Sequence, residues 1–168
     1  LAPFADRIVF LFLGGFALAT ALRVQQLDRK MAGALLALSG GHFGRSVFLL
    51  FAVTAVLSMG ISNTATAAMM LPLTVGILSP LDADKDLRTF SFVLLGVAYA
   101  ASIGGIGTLV GSPPNAIAAR AADIDFAQWL WIGIPLVLVL MPVMVLTLWL
   151  VLRPTLNRQI GFVMADVP

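Results

Sequence analysis

Charge comes in clumps along this chain, and the lengths of the gaps between clumps decide what it can fold into. Four runs contain no Asp, Glu, Lys, Arg or His: Ile8–Leu22 (15 residues), Ser46–Leu81 (36), Thr89–Ala119 (31) and Phe126–Leu152 (27). A membrane-spanning helix needs about 20 apolar residues to cross a hydrocarbon core of roughly 30 Å. With 60% hydrophobic and 11% charged residues and a mean hydropathy of +1.03, the chain reads as an all-α, polytopic membrane protein. It is expected in the cell's inner (plasma) membrane, surrounded by lipid. The pI near 9.7 then describes membrane-flanking loops and gives no reason to expect nucleic acid. The absence of cysteine removes disulfide and thiol chemistry.

Each run suits a different placement. Residues 126–152 fit one tilted transmembrane helix, with Trp129 and Trp131 at one end and Trp149 near the other, and with Pro135 and Pro142 as expected kinks. Residues 8–22 are expected to form a short transmembrane helix, rich in small residues. Residues 28–41 contain "MAGALLALSGG", too short to span, and are expected as an interfacial helix.

The 36-residue run fits neither one span nor two. As one helix it would measure about 54 Å, whereas two spans need about 40 residues and a turn. Residues 46–81 are therefore expected to form a re-entrant hairpin, entering and leaving on one side. Its tip falls near 62–64, at "SNT", the middle of the run. Residues 89–122 are expected as a transmembrane helix broken over 104–114, where "GGIGTLVGSPPN" places four glycines and two adjacent prolines. Ser112 reads as an N-cap and Pro113 as the first position of the restarted helix. With the hairpin open to the cytoplasm, that side holds Arg23, Arg29, Lys30, Arg45, Lys85, Arg88, Arg153 and Arg158, and the outside only Arg7 and Arg120. This is the bias of the positive-inside rule, and two full spans in place of the hairpin give the same count.

Broken backbone at membrane depth survives only where protein buries it or where it lines a watery cavity. An ending half-helix presents carbonyls with partial negative charge, and a starting one presents N–H groups with partial positive charge. The first suits a cation and the second an anion. Ser58, Ser62, Asn63 and Thr64 can add hydroxyl and amide oxygens to a small cation's shell. Ser58 and Ser62, four residues apart, are expected on one helical face. No carboxylate lies in any charge-free run, and the only histidine, His42, falls in a loop. A proton relay therefore has no candidate, and Na⁺ held by neutral oxygens is the reading that remains. The competing account is that these hydroxyls and the amide only join helices in a non-transporting membrane subunit.

Enzyme motifs do not fit. Gly105, Gly107 and Gly111 imitate a dinucleotide fingerprint without a βαβ unit or a ribose-binding acid. "GISNT" lacks the second glycine of a nucleophile elbow, and no base accompanies it. Neither catalysis nor an organic cofactor is expected.

Three stretches taken together, "FLFLGGFALATAL", "SMGISNTATAAMMLPL" and "GGIGTLVGSPPNAIA", resemble the divalent anion/sodium symporter family, in order and spacing over nearly the whole chain. The resemblance implies a sodium-coupled, alternating-access transporter of di- or tricarboxylates such as succinate, malate, fumarate or citrate. A sulfate transporter or an anion exchanger of the same fold is the alternative. It further implies that Ser58, Ser62, Asn63 and the Gly111 backbone hold one Na⁺, and that Asn63, Thr64, Ser112 and Pro113 meet the small anionic substrate. In that family two inverted repeats each supply a Ser-Asn-Thr hairpin, and the intact protein is a homodimer. Only one such tip occurs here, so the chain is expected to be the central part of the first repeat, an excerpt that does not transport alone.

Overall fold

The computed structural model describes residues 42–82 and 84–156, together with five positions between 17 and 25. The expected helix at 8–22, except for helical positions 17, 20 and 21, and the expected interfacial helix at 28–41 lie outside the described residues. Among the described residues the protein is all-helical: α1 (Phe43–Ser58), α2 (Asn63–Leu78), α3 (Leu87–Gly104) running into a 3₁₀ turn (Gly105–Gly107), α4 (Pro113–Ala121) and α5 (Phe126–Leu152).

The longest charge-free run is divided in its middle. α1 ends at Ser58, and its last turn tightens as the Met59 and Gly60 N–H groups donate to Val56 and Leu57 carbonyls at 3.2 and 3.1 Å. Ser62 then takes an extended conformation and caps α2, its Oγ accepting from the Ala65 N–H at 3.4 Å. The turn is thus Met59–Ser62, slightly earlier than the expected 62–64, because the cap makes Asn63 and Thr64 the first residues of the new helix. At 16 residues each, α1 and α2 measure about 24 Å, short of the roughly 30 Å of a bilayer core. Pro72 lies inside α2 on an exposed face, and the helix continues through it.

The second break runs from the end of α3 at Gly104 to the start of α4 at Pro113. Gly104 and Gly105 keep right-handed helical angles, and the helix tightens there into the 3₁₀ turn. The chain leaves the helix at Thr108 and restarts after extended Ser112, with prolines in the first turn of α4. That is where a missing N–H costs nothing. α5 begins in a capping box: the Gln128 N–H donates to Asp125 Oδ1 at 2.8 Å, and the Asp125 N–H donates to Gln128 Oε1 at 3.0 Å. It runs unbroken through Pro135 and Pro142 and ends at Arg153, whose φ of 48° turns the chain into Pro154.

α1, α2 and α3 pack around one core. Phe43, Val47, Leu50 and Phe51 of α1 meet Met70 and Ile77 of α2 and Phe92, Val93 and Val97 of α3, all buried. The Phe51 and Phe92 rings lie 5.7 Å apart, tilted by 54°. Small residues let the backbones approach: Gly96 takes the Phe51 ring against it, and Gly104 lies on the backbone of Ala55. α5 buries only a stripe of Gly133, Val137 and Met144 and leaves apolar side chains exposed on its other faces. Leu87–Gly107 (21 residues) and Phe126–Leu152 (27 residues) are long and apolar enough to cross a membrane. At the opposite end from the breaks, the Thr155 N–H donates to Thr89 Oγ1 at 3.2 Å, joining the end of α5 to the start of α3. In the exposed α2–α3 loop, Lys85 lies 3.0 Å from Asp82 and holds its carboxyl below the usual range.

Candidate functional site

The two breaks lie against each other, and four of the carbonyls they free, those of Met59, Gly105, Ile106 and Thr108, are met by side-chain donors. The Thr108 hydroxyl donates to the Met59 carbonyl and accepts from the Gly111 N–H at 3.1 Å, so one side chain joins the α1–α2 turn to the α3–α4 break. Buried Asn115 donates to the Gly105 and Thr108 carbonyls at 2.7 and 2.8 Å. The Trp129 indole N–H donates to the Ile106 carbonyl at 3.0 Å. A buried carbonyl without a partner costs about 1–3 kcal/mol, so these donors make two interrupted helices affordable at this depth.

Glycines set how closely the pieces approach. Gly133 of α5 lies on the backbone of the 3₁₀ turn, where a Cβ would stand 2.8 Å from the Gly107 carbonyl oxygen. A Cβ on Gly111 would stand 2.9 Å from the Ser58 carbonyl oxygen and 2.5 Å from that of Gly105. The place where a Cβ of Gly105 would go is filled by Asn63 Oδ1.

At the centre is an oxygen cluster with few protons. Ser58 Oγ, fully buried, has the Ala101 carbonyl at 2.6 Å and Asn63 Oδ1 at 2.9 Å, both within donating reach. A hydroxyl carries one proton, so Ser58 can serve only one of these acceptors at a time, and the Ala101 carbonyl also accepts the Gly105 N–H. Electron-rich oxygens that outnumber their protons in a buried place attract a small hard cation. Among the described residues no three His, Cys, Asp or Glu side chains come together, so the local field is that of neutral oxygens and helix ends.

Of the residues expected to hold Na⁺, Ser58, Asn63 and Gly111 are brought together by these contacts. Ser62 is not on one helical face with Ser58, because α1 has ended between them. Ser58 is buried, whereas Ser62 is exposed and its hydroxyl is turned to the start of α2. Of the residues expected to meet substrate, Thr64 is exposed in the first turn of α2, Ser112 is half-buried, and Pro113 is exposed at the start of α4. The two helix starts are not equal. Pro113 and Pro114 have no N–H, and that of Asn115 is used by the Ser112 carbonyl at 3.1 Å. The α4 start therefore offers the Ser112 hydroxyl, which makes no capping bond, and not a row of amides. The α2 start offers the backbone N–H groups of Asn63 and Thr64, which no helix carbonyl can reach.

Sequence reasoning missed Asn115, Thr108, Trp129 and the Ala101 carbonyl. An amide directly after Pro-Pro in a charge-free run was the available signal for Asn115, because such a group must find partners in the interior. Nothing in the sequence marks which backbone carbonyl of α3 faces Ser58.

A family model described as citrate transporter matches residues 1–164. An uncharacterized transporter of Haemophilus influenzae is 55% identical over 157 residues, which cover 94% of this chain and 34% of that protein. The sodium-dependent dicarboxylate transporter SdcS of Staphylococcus saprophyticus is 36% identical, with 83% of this chain and 30% of that protein covered. Its namesake in Staphylococcus aureus is 33% identical over 166 residues, covering 90% of this chain and 31% of that protein. The chain thus spans about a third of the length of the curated relatives it matches. The chain belongs to the citrate transporter family, in keeping with the likeness of its Ser-Asn-Thr turn and Gly-Ser-Pro-Pro-Asn break to the divalent anion/sodium symporters.

Proposed function

We propose that this segment is the cation-binding part of a sodium-coupled, alternating-access transporter of di- or tricarboxylates. The observation that carries the proposal is the cluster of buried Ser58 Oγ, half-buried Asn63 Oδ1 and the Ala101 carbonyl, where the Ser58 hydroxyl has two acceptors and one proton. Na⁺ between these oxygens relieves their repulsion and replaces its own hydration. Ser62 and the Gly111 backbone border the same place. The SdcS relatives are named sodium-dependent dicarboxylate transporters, which agrees with this choice of ion and substrate class.

The substrate's carboxylate is assigned to the face beside the cation. There the Asn63 and Thr64 N–H groups and the Thr64 and Ser112 hydroxyls can donate to it, and Pro113 shapes the edge. Bound Na⁺ supplies the positive charge that no Lys or Arg provides at the cluster. α1 and α2 are assigned to a re-entrant hairpin, which their 16-residue lengths favour.

The test uses the full-length transporter that carries this segment. Asn63→Ala removes one neutral oxygen, and no charged group nearby can stand in for it. The Na⁺ concentration for half-maximal uptake should rise about five- to a hundredfold, the equivalent of about 1–3 kcal/mol. Unchanged Na⁺ dependence in a well-expressed variant would return the cluster to plain helix packing.

A further inference from the structure

Among the described residues, every hydroxyl buried in the helices has a visible partner except one. Thr54 donates to the Leu50 carbonyl at 2.6 Å and Thr74 to the Met70 carbonyl at 2.8 Å, each four residues back along its own helix. Thr66, in α2 between them and 0% exposed, makes no such bond, and its Oγ1 has no hydrogen-bond partner among the described residues. The carbonyl that the same pattern would offer, that of Ser62, accepts the Thr66 N–H at 2.9 Å but not the Thr66 hydroxyl. A buried hydroxyl is not left unpaired without a reason.

Its position supplies the reason. Thr66 follows Asn63 by three residues, so both lie on one face of α2, one turn apart. Side chains on a helix lean toward its N-terminus, which directs the Thr66 hydroxyl toward the turn that holds Asn63. Asn63 Oδ1 in turn faces Ser58 Oγ and Gly105. Thr66 is the next polar side chain below the proton-poor oxygens, on the buried side of the helix.

We propose that Thr66 Oγ1 is a further oxygen donor to the cation held by Ser58 and Asn63. The inference rests on the cation site proposed above and adds to it a residue outside the Ser-Asn-Thr turn. A hydroxyl that gives its lone pairs to Na⁺ needs no acceptor in the helix, which fits its freedom from the Ser62 carbonyl. Thr66 also fixes the site's depth, a full turn inside α2, where substrate at the exposed Thr64 cannot reach.

Purified full-length transporter, reconstituted in vesicles, tests this with Na⁺ alone as the varied ligand. Thr66→Val keeps the shape and removes the hydroxyl, Thr66→Ser keeps the hydroxyl, and Ser58→Ala reports on the cation site itself. Thr66→Val should raise the half-saturating Na⁺ concentration about fivefold or more, with Thr66→Ser within about twofold of the parent. Thr66→Ala gives the same reading where the valine variant does not express. Na⁺-dependent thermal stabilisation should weaken in parallel, because a ligand stabilises in proportion to its binding. If Thr66→Val melts higher than the parent and keeps its Na⁺ dependence, the hydroxyl is only an unpaired group in the core and the inference is overturned. With Ser58→Ala impaired in that case, the cation site stands without Thr66. If Ser58→Ala is also unchanged, both fall.

Discussion

Asn63 Oδ1 occupies the space that a methyl group on Gly105 would need, so the start of α2 and the end of α3 meet through one amide and one absent side chain. One residue earlier, Gly104 meets the backbone of Ala55. The two glycines look alike in sequence and face different obstacles, which separates their expected effects. The Asn63 amide can swing aside, but a helix backbone cannot.

Gly105→Ala should therefore fold and insert, yet move Asn63 out of the oxygen cluster. The expected result is a Na⁺ requirement raised about tenfold with little change in melting temperature, since an amide rotation is cheaper than a backbone shift. Gly104→Ala should lower stability by about 1–3 kcal/mol by forcing α1 and α3 apart. Melting curves for both variants, with Na⁺ titrations of uptake, check the contrast.

Asn115 carries the second break. Its Nδ2 is shared by the Gly105 and Thr108 carbonyls, so Asn115→Ala leaves two buried acceptors without donors. A loss of about 2–6 kcal/mol is expected, at about 1–3 kcal/mol for each acceptor. Asn115→Asp keeps the size but offers oxygens to oxygens, and should do no better than alanine. Detergent-solubilised thermal unfolding measures both.

The membrane placement of α1 and α2 can be read by cysteine labelling, since the chain has no native cysteine to interfere. Cysteines at Ser46 and Leu81 should both react from the cytoplasmic side if the two helices form a re-entrant hairpin. Labelling of one position from each side would show two full crossings.

Legibility in the sequence followed the strength of local chemistry. Ser112 before Pro-Pro is a strong helix-start signal, and α4 starts at Pro113. The Asp125–Gln128 box likewise begins α5 at Phe126 after a charged loop. Gly104 and Gly105 are compatible with helix, so α3 passes into the 3₁₀ turn and the chain leaves helical geometry only at Thr108. The misplacement comes from spacing. The four-residue spacing of Ser58 and Ser62 implied a shared face only while the helix was assumed continuous, and the Met59–Gly60 turn ends it. Asn115, Trp129 and the Ala101 carbonyl act across 10, 23 and 43 residues of sequence, where no periodicity reports who faces whom. That the Thr66 hydroxyl is buried without a hydrogen-bond partner depends on tertiary packing, which no local sequence signal reports.

The oxygen cluster is proposed to bind Na⁺ through neutral oxygens where a proton-driven carrier would place a carboxylate. Bound Na⁺ must then balance the substrate's charge, and any Na⁺ beyond neutrality couples uptake to the membrane potential at about 2.3 kcal/mol per charge per 100 mV. The most direct measurement is dicarboxylate uptake by the full-length transporter in vesicles, under an inward Na⁺ gradient and, separately, an inward proton gradient in Na⁺-free buffer. Uptake that requires the Na⁺ gradient, with no response to protons alone, is the predicted result. Robust proton-driven uptake without Na⁺, or substrate exchange that proceeds without any cation, would contradict it.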